Sequence, residues 1–390
     1  MQTKISTVML KVFQFPTLVC LFLALGFLFV ACDDKDDQVD DLVIPNTYDG
    51  SNYTANTTAH TTVRTALINL TNEMKKGRTP GTKVELGALN ALYSSGTPSL
   101  KSYTNSFYNG KIEGDNGFLN ELTKASGGTF VPGTTTGNGG TYGAYLFDEN
   151  GVELEQLVEK GLFGAALYNQ ALSLMSKHTE FTPAKADQVL AMFGASPLFK
   201  SSDNATKHGA DIDRFMANYG ARRDKNDGNG LYTKMKAALI TAQAAAKATP
   251  ANHGKMLEAF EQIRSNWEKI NAATVINYCH SAISTLSSTN PTDAQKAGAL
   301  HSLCEAIGFL YGWRTLSTSG RTITDAQIDE LLTLLNYPVG APPKPYVFLT
   351  APLNELPKLQ QIISKLKTIY QFTDTEIEDF KKNWISEQSR

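Results

Sequence analysis

His208 and Asp211 stand three residues apart in KHGAD, a spacing that sets an imidazole and a carboxylate about one turn apart on a helix. Such a pair can begin the donor set of a divalent cation, iron or zinc among them, when a neighbouring helix supplies the remaining ligands. The competing reading makes His208 an exposed residue at a helix start, with Asp211 or Asp213 serving the helix dipole. His280, His301 and Glu305 form a second set. Glu305 follows His301 by four residues, and a turn near residue 290 puts His280 at nearly the height of His301 across a helical hairpin. Three ligands would then be in reach, although histidines beside an apolar seam also serve as half-buried packing residues. The same hairpin brings Cys279 and Cys304 onto facing stripes. A disulfide between them needs Cβ atoms closer than most positions on helices ~8–10 Å apart allow, and the alternative is two buried thiols.

Other constellations are weaker. Glu155 and Glu159 share a helical face, as an acid–base couple would require, but Glu159 beside Lys160 equally suits a solvated surface. RRDKNDGNG looks like a calcium loop until it is counted. From Asp224 the glycine comes one place early and the twelfth position is Met235, so the segment reads as a turn capping the next helix. The chain lacks His-Glu-x-x-His, Gly-x-Ser-x-Gly and P-loop patterns, and its six histidines scatter between His60 and His301. No catalysis is expected.

The elements that must carry these residues are helices. Val63, Leu67, Leu70 and Met74 recur at helical spacing, as do Leu86, Leu89 and Leu92. Residues 151–177 keep one broad apolar face, and Thr182-Pro183 opens another helix. Residues 231–248 are alanine-rich, and Ile263, Trp267, Ile270, Ile276, Cys279, Ile283 and Leu286 carry a long stripe to the break at Asn290-Pro291. Thr292 and Gln295 then make a capping box for the return helix. Further helices are expected over 324–337, 353–371 and 375–387, and the glycine-rich stretch 126–143 as a long loop. Nothing alternates convincingly at period two. The pattern predicts an all-α protein of antiparallel helical bundles, two of them packed together.

Charge is balanced at 36 basic and 38 acidic residues, which leaves no broad cationic field for nucleic acid. The asymmetry lies at the start. Lys4 and Lys11 precede the apolar run 12–31, and six Asp against Lys35 fill residues 33–41. That order reads as an export signal over residues 1–31, with an uncleaved anchor as the alternative, followed by an acidic tether over 32–58 and a folded body over 59–390 that begins near His60.

Phe29-Val30-Ala31-Cys32 resembles the bacterial lipobox, which makes Cys32 the lipid-bearing residue and the membrane a partner through acyl chains. Lys35-Asp36-Asp37 resembles the lipoprotein export signal of Bacteroides-type bacteria, which implies the outer membrane and its surface. Three stretches, SNYTANTTAHTTVRTALINLTNEMKKG, YLFDENGVELEQLVEKGLFGAALYNQA and HGADIDRFMANYGARRD, resemble the lipoprotein family known as the domain of unknown function numbered 4856. That family is distantly similar to the imelysin-like proteins, all-α double bundles tied to iron uptake and marked by Gly-x-His-x-x-Glu. Here His208 through Asp211 is the nearest counterpart, with Asp in place of Glu and no preceding glycine; Asp213, Tyr219 and Gly220 match the closer family's aromatic-acidic segment. The resemblance implies a cell-surface protein that binds a ligand for nutrient acquisition, with metal, iron or haem as its cofactor or cargo. A carbohydrate- or peptide-binding lipoprotein of an uptake system, suggested by the aromatics of FDENG and YTNSFYNG, is the alternative, and a zinc metallopeptidase a third.

Overall fold

Helices dominate because apolar residues repeat with their period, and the caps stand where the sequence places them. The computed structural model describes residues 42–134, 137–317 and 321–390. The export signal, Cys32 and the tether up to residue 41 lie outside the described residues. Residues 42–390 form one unit around a contiguous apolar core. The only sheet among the described residues has two strands, so the all-α expectation holds. No described helix is long and apolar enough to cross a membrane.

The helices Leu231–Lys247, His253–Leu286 and Asp293–Tyr311 pack in sequence, with the long one in the middle. Thr292 and Gln295 make the expected reciprocal cap, and Thr324 with Gln327 and Thr373 with Glu376 repeat it at two later helix starts. Helix Leu154–Leu162 lies against Asp293–Tyr311, and Pro352–Tyr370 covers part of the long helix.

Four details depart from the sequence reading. The first helix runs Tyr53–Lys75, ahead of His60, and Tyr48 is already buried with its hydroxyl donating to Asp187 at 2.8 Å. Threonines and asparagines hid that start, since Thr57 and His60 face inward while their neighbours face solvent. The apolar segment 151–177 is interrupted by a π-helical stretch, Phe163–Tyr168. The expected loop 126–143 ends in a strand. Gly140–Tyr142 pairs antiparallel with Tyr145–Phe147, Thr141 facing Leu146, in strands too short for alternation to register. The last segment splits into Asp374–Asp379 and Trp384–Glu387.

Candidate functional site

Two arrangements of buried charge lie near each other. The first is a chain of ion pairs. Arg78, in the turn after the first helix, donates to Glu153 at 2.8 Å and to both oxygens of Glu155 at 2.7 and 3.0 Å. Asp148 positions Glu153 from upstream, since its carboxylate accepts from the Asn150 and Val152 N–H groups and shapes the turn before residue 153. Glu153 then meets Nδ1 of His301 at 2.6 Å, and Nε2 of His301 lies 3.5 Å from Glu305. Glu305 pairs with Lys160 at 3.2 Å, and Lys160 with Glu159 at 2.8 Å. Tyr145, delivered by the second strand, stacks on His301 with centroids 4.2 Å apart.

Neighbours set the charge states. Burial pushes His301 down, but the Glu153 and Glu305 carboxylates outweigh it and hold the ring above its ordinary value. Burial pushes Glu305 up, yet Lys160 and His301 bring it below the usual carboxylate range. Lys160 is held well above its ordinary value by Glu159 and Glu305 against the pull of burial. Glu155 moves upward through burial and the nearby Glu153, in spite of Arg78. Glu155 is buried and Glu159 mostly so, which corrects the reading of that pair as a solvated face.

The second arrangement is a cleft of about 840 Å³. Its walls come from four elements: the helix Phe215–Arg223, the exposed turns of His253–Leu286 near residue 280, the helix Pro352–Tyr370, and residues 377–383. Tyr219 and Tyr278 line it, and both also reach Glu305 at the end of the charge chain. Two of its cations are matched: Arg222 to Asp203 at 2.9 Å and Lys381 to Glu378 at 2.7 Å. Arg223 is not. It is 7% exposed, donates to the Phe380 carbonyl at 2.9 Å, and makes no ion pair with a described carboxylate. Its Nε has no hydrogen-bond partner among the described residues, and neither has Nε2 of His280. Burial lowers Arg223 to about 10 and lowers His280 from its ordinary value, with Lys381 adding to the second shift and Glu378 opposing it.

The expected metal ligands do not assemble. His208 closes the short helix Ala205–His208, Gly209 turns at φ +59°, and Asp211 falls in a separate turn, so the two never share a helical face. Asp213 is spent inside the fold, accepting from the Ser202 N–H and the Tyr232 hydroxyl at 2.8 and 2.7 Å, and burial raises it to about 6. His301 and Glu305 do meet, but His280 lines the cleft beside Glu378 and Lys381. The sequence argument fixed heights and not azimuth: Cys279 is fully buried, and its neighbour on a helix points about 100° away. Glu153 and Glu305 occupy opposite ring nitrogens of His301, which leaves no lone pair for a cation. Among the described residues no cluster of three or more His, Cys, Asp or Glu could hold a metal ion. The donor geometry thus does not fit the metal that the imelysin-like resemblance implies.

Cys279 and Cys304 are free and buried, against the allowed disulfide. Cys304 turns its sulfur toward the segment before residue 154, accepting from the Glu153 N–H at 3.2 Å and lying 3.5 Å from the Gly151 carbonyl. The segment RRDKNDGNG is the expected turn, with Asp224 accepting from the Asn226 and Thr233 N–H groups at 2.6 and 2.8 Å.

Sequence reading passed over Arg78, Glu153 and Arg223. A trace existed for Lys160, an ammonium among Leu157, Val158 and Leu162, whereas nothing local marks Arg78, whose partners lie 75 and 77 residues away.

No curated protein and no solved structure matches the chain. Residues 196–341 match the family model described as Domain of unknown function (DUF4856). The match holds Arg223, His280, His301 and Glu305, and stops short of the cleft wall formed by Gln360, Glu378 and Lys381.

Proposed function

We propose that this chain is an exported, lipid-anchored cell-surface protein that captures a polar organic ligand, of saccharide type, for nutrient acquisition. The observation that carries the ligand side of this reading is the polar cleft. Amides and hydroxyls of Asn277, Ser281, Ser284 and Gln360 line it, offering donors and acceptors that match sugar hydroxyls. Lipid attachment at Cys32 and delivery to the outer-membrane surface rest on the apolar run 12–31, the Ala31-Cys32 junction and the acidic segment after it. The distant imelysin-like likeness agrees with a surface-binding role, while the donor geometry argues against a metal ion as its object.

An array of immobilised neutral and acidic oligosaccharides tests the ligand class. Binding that is lost in the double variant Ser281→Ala, Gln360→Ala, at two exposed positions on the cleft, supports the reading. Binding that survives this variant, or no binding to any saccharide, counts against it. Labelling cells with a radioactive fatty acid tests the anchor, which predicts label on the wild-type chain and none on Cys32→Ser.

A further inference from the structure

On the reading of the cleft as a ligand site, we infer that it selects a saccharide carrying an acidic group, seated against the guanidinium of Arg223. Every other charged group around the cleft has its counter-charge in place. Arg222 faces Asp203, and Lys381 faces Glu378. Among the described residues Arg223 is the one cation of the cleft whose closest polar partner is a carbonyl, and that carbonyl is shared with Nδ2 of Asn277 at 2.7 Å. Keeping an uncompensated guanidinium in a low-dielectric site is unfavourable for the fold, and an entering anion removes that imbalance.

The chemistry of the guanidinium narrows the class. Its planar fork pairs with the two oxygens of a carboxylate or with two oxygens of a sulfate, and at about 10 its lowered value still leaves it protonated at pH 7. His280, on the same cleft, contributes a second nitrogen with no partner among the described residues, and burial and Lys381 favour its neutral form, so it can exchange one hydrogen bond without adding charge. The amides and hydroxyls around this point suit sugar hydroxyls, whereas the aliphatic part of the wall is confined to Ile283, Ile363 and Ile377. An acidic sugar satisfies both halves of the lining.

Isothermal titration calorimetry of the purified full-length chain decides the matter with three probes of similar length: an oligogalacturonide, a sulfated galactan oligosaccharide and an uncharged galactan oligosaccharide. The expected result is binding of a charged probe at least about tenfold tighter than the neutral one, and a loss of about tenfold or more of that affinity in Arg223→Met. The two charged arms separate carboxylate from sulfate recognition. Equal affinity for neutral and charged probes overturns the acidic-group inference and leaves the saccharide reading standing, and this comparison needs only the wild-type chain. Acidic binding that Arg223→Met leaves unchanged, in a variant whose circular dichroism matches wild type, likewise overturns it. Failure of all three probes to bind overturns the inference and the saccharide reading together.

Discussion

The charge chain and the cleft share two tyrosines, and they handle buried charge in opposite ways. From Arg78 to Glu159 every charge has an opposite neighbour within 3.5 Å. In the cleft the most buried cation, Arg223, has no ionic partner among the described residues. A closed network holds elements in register and has nothing left to offer a ligand. An open one is costly to the scaffold, and that cost makes sense where something binds. The cluster rich in His and Glu is on this argument scaffold, and the sparser one is the proposed site.

The comparison breaks first at Lys160. Replacing it with Met strips Glu305 and Glu159 of their common cation, and loss of one partner from a buried pair costs about 3–5 kcal/mol. Denaturant unfolding of Lys160→Met should show that loss. Combining it with Glu305→Gln should recover a good part, because the orphaned carboxylate is then neutral. A single variant as stable as wild type would mean that the chain holds nothing in place.

Helix approach sharpens the contrast at a smaller scale. A Cβ on Gly161 would fall 1.8 Å from the Tyr108 hydroxyl, whose own bond to the Leu157 carbonyl, at 2.5 Å, fixes it there. Gly161→Ala should therefore destabilise by about 1–3 kcal/mol. In the helix Phe215–Arg223, which walls the cleft, a Cβ on Gly220 would come tight only against the Cδ1 of Ile270 at 3.0 Å, the movable end of a side chain, with the Tyr232 ring at an ordinary 3.5 Å. Ala is also the better helix former there by ~1 kcal/mol, so Gly220→Ala should stay within about 1 kcal/mol of wild type. Thermal melts of the two variants side by side test this, and equal losses would contradict it.

Much of the frame was legible. Helical periodicity, the Thr292-Gln295 cap and the break at Pro291 placed the long hairpin that carries His280, His301 and Glu305. Facing was not legible, since which side of a helix meets which neighbour depends on packing among segments far apart in sequence. The His301–Glu153 contact spans 148 residues and the Arg223–Phe380 bond 157. Charge inside an apolar stripe, as at Lys160, was the one local clue that a buried network existed, and an unpaired Arg223 leaves no such clue because its neighbours in RRD look like surface.

Proton linkage distinguishes the two regions without removing a pair. The folded pKa of His301 lies above its ordinary 6.5, so its contribution is complete below about pH 6.5 and is lost as pH rises through the folded value. Glu305 is lowered, so its contribution is present above its ordinary 4.5 and disappears as pH falls through the lower folded value. Melting temperature should decline on the alkaline side, and His301→Gln should flatten that decline while lowering stability near pH 6. His280 has a depressed pKa and sits in the cleft, so His280→Gln should leave the alkaline slope unchanged. An identical slope in wild type and His301→Gln would detach the chain from the pH response.

The smallest effect is expected where the side chain is as buried as those of the charge chain. Arg223→Met removes a guanidinium that no described carboxylate compensates, so no described acid is orphaned by the change. The Phe380 carbonyl keeps its bond from Asn277 at 2.7 Å, and the Met side chain fills much of the vacated volume. Lost hydrogen bonding, worth ~1 kcal/mol, is offset by relief from holding a desolvated charge. Stability in denaturant should therefore change by less than about 1 kcal/mol, in either direction, under conditions in which Lys160→Met loses several times that. A loss in Arg223→Met as large as in Lys160→Met would make the guanidinium part of the scaffold and remove the distinction between the two regions.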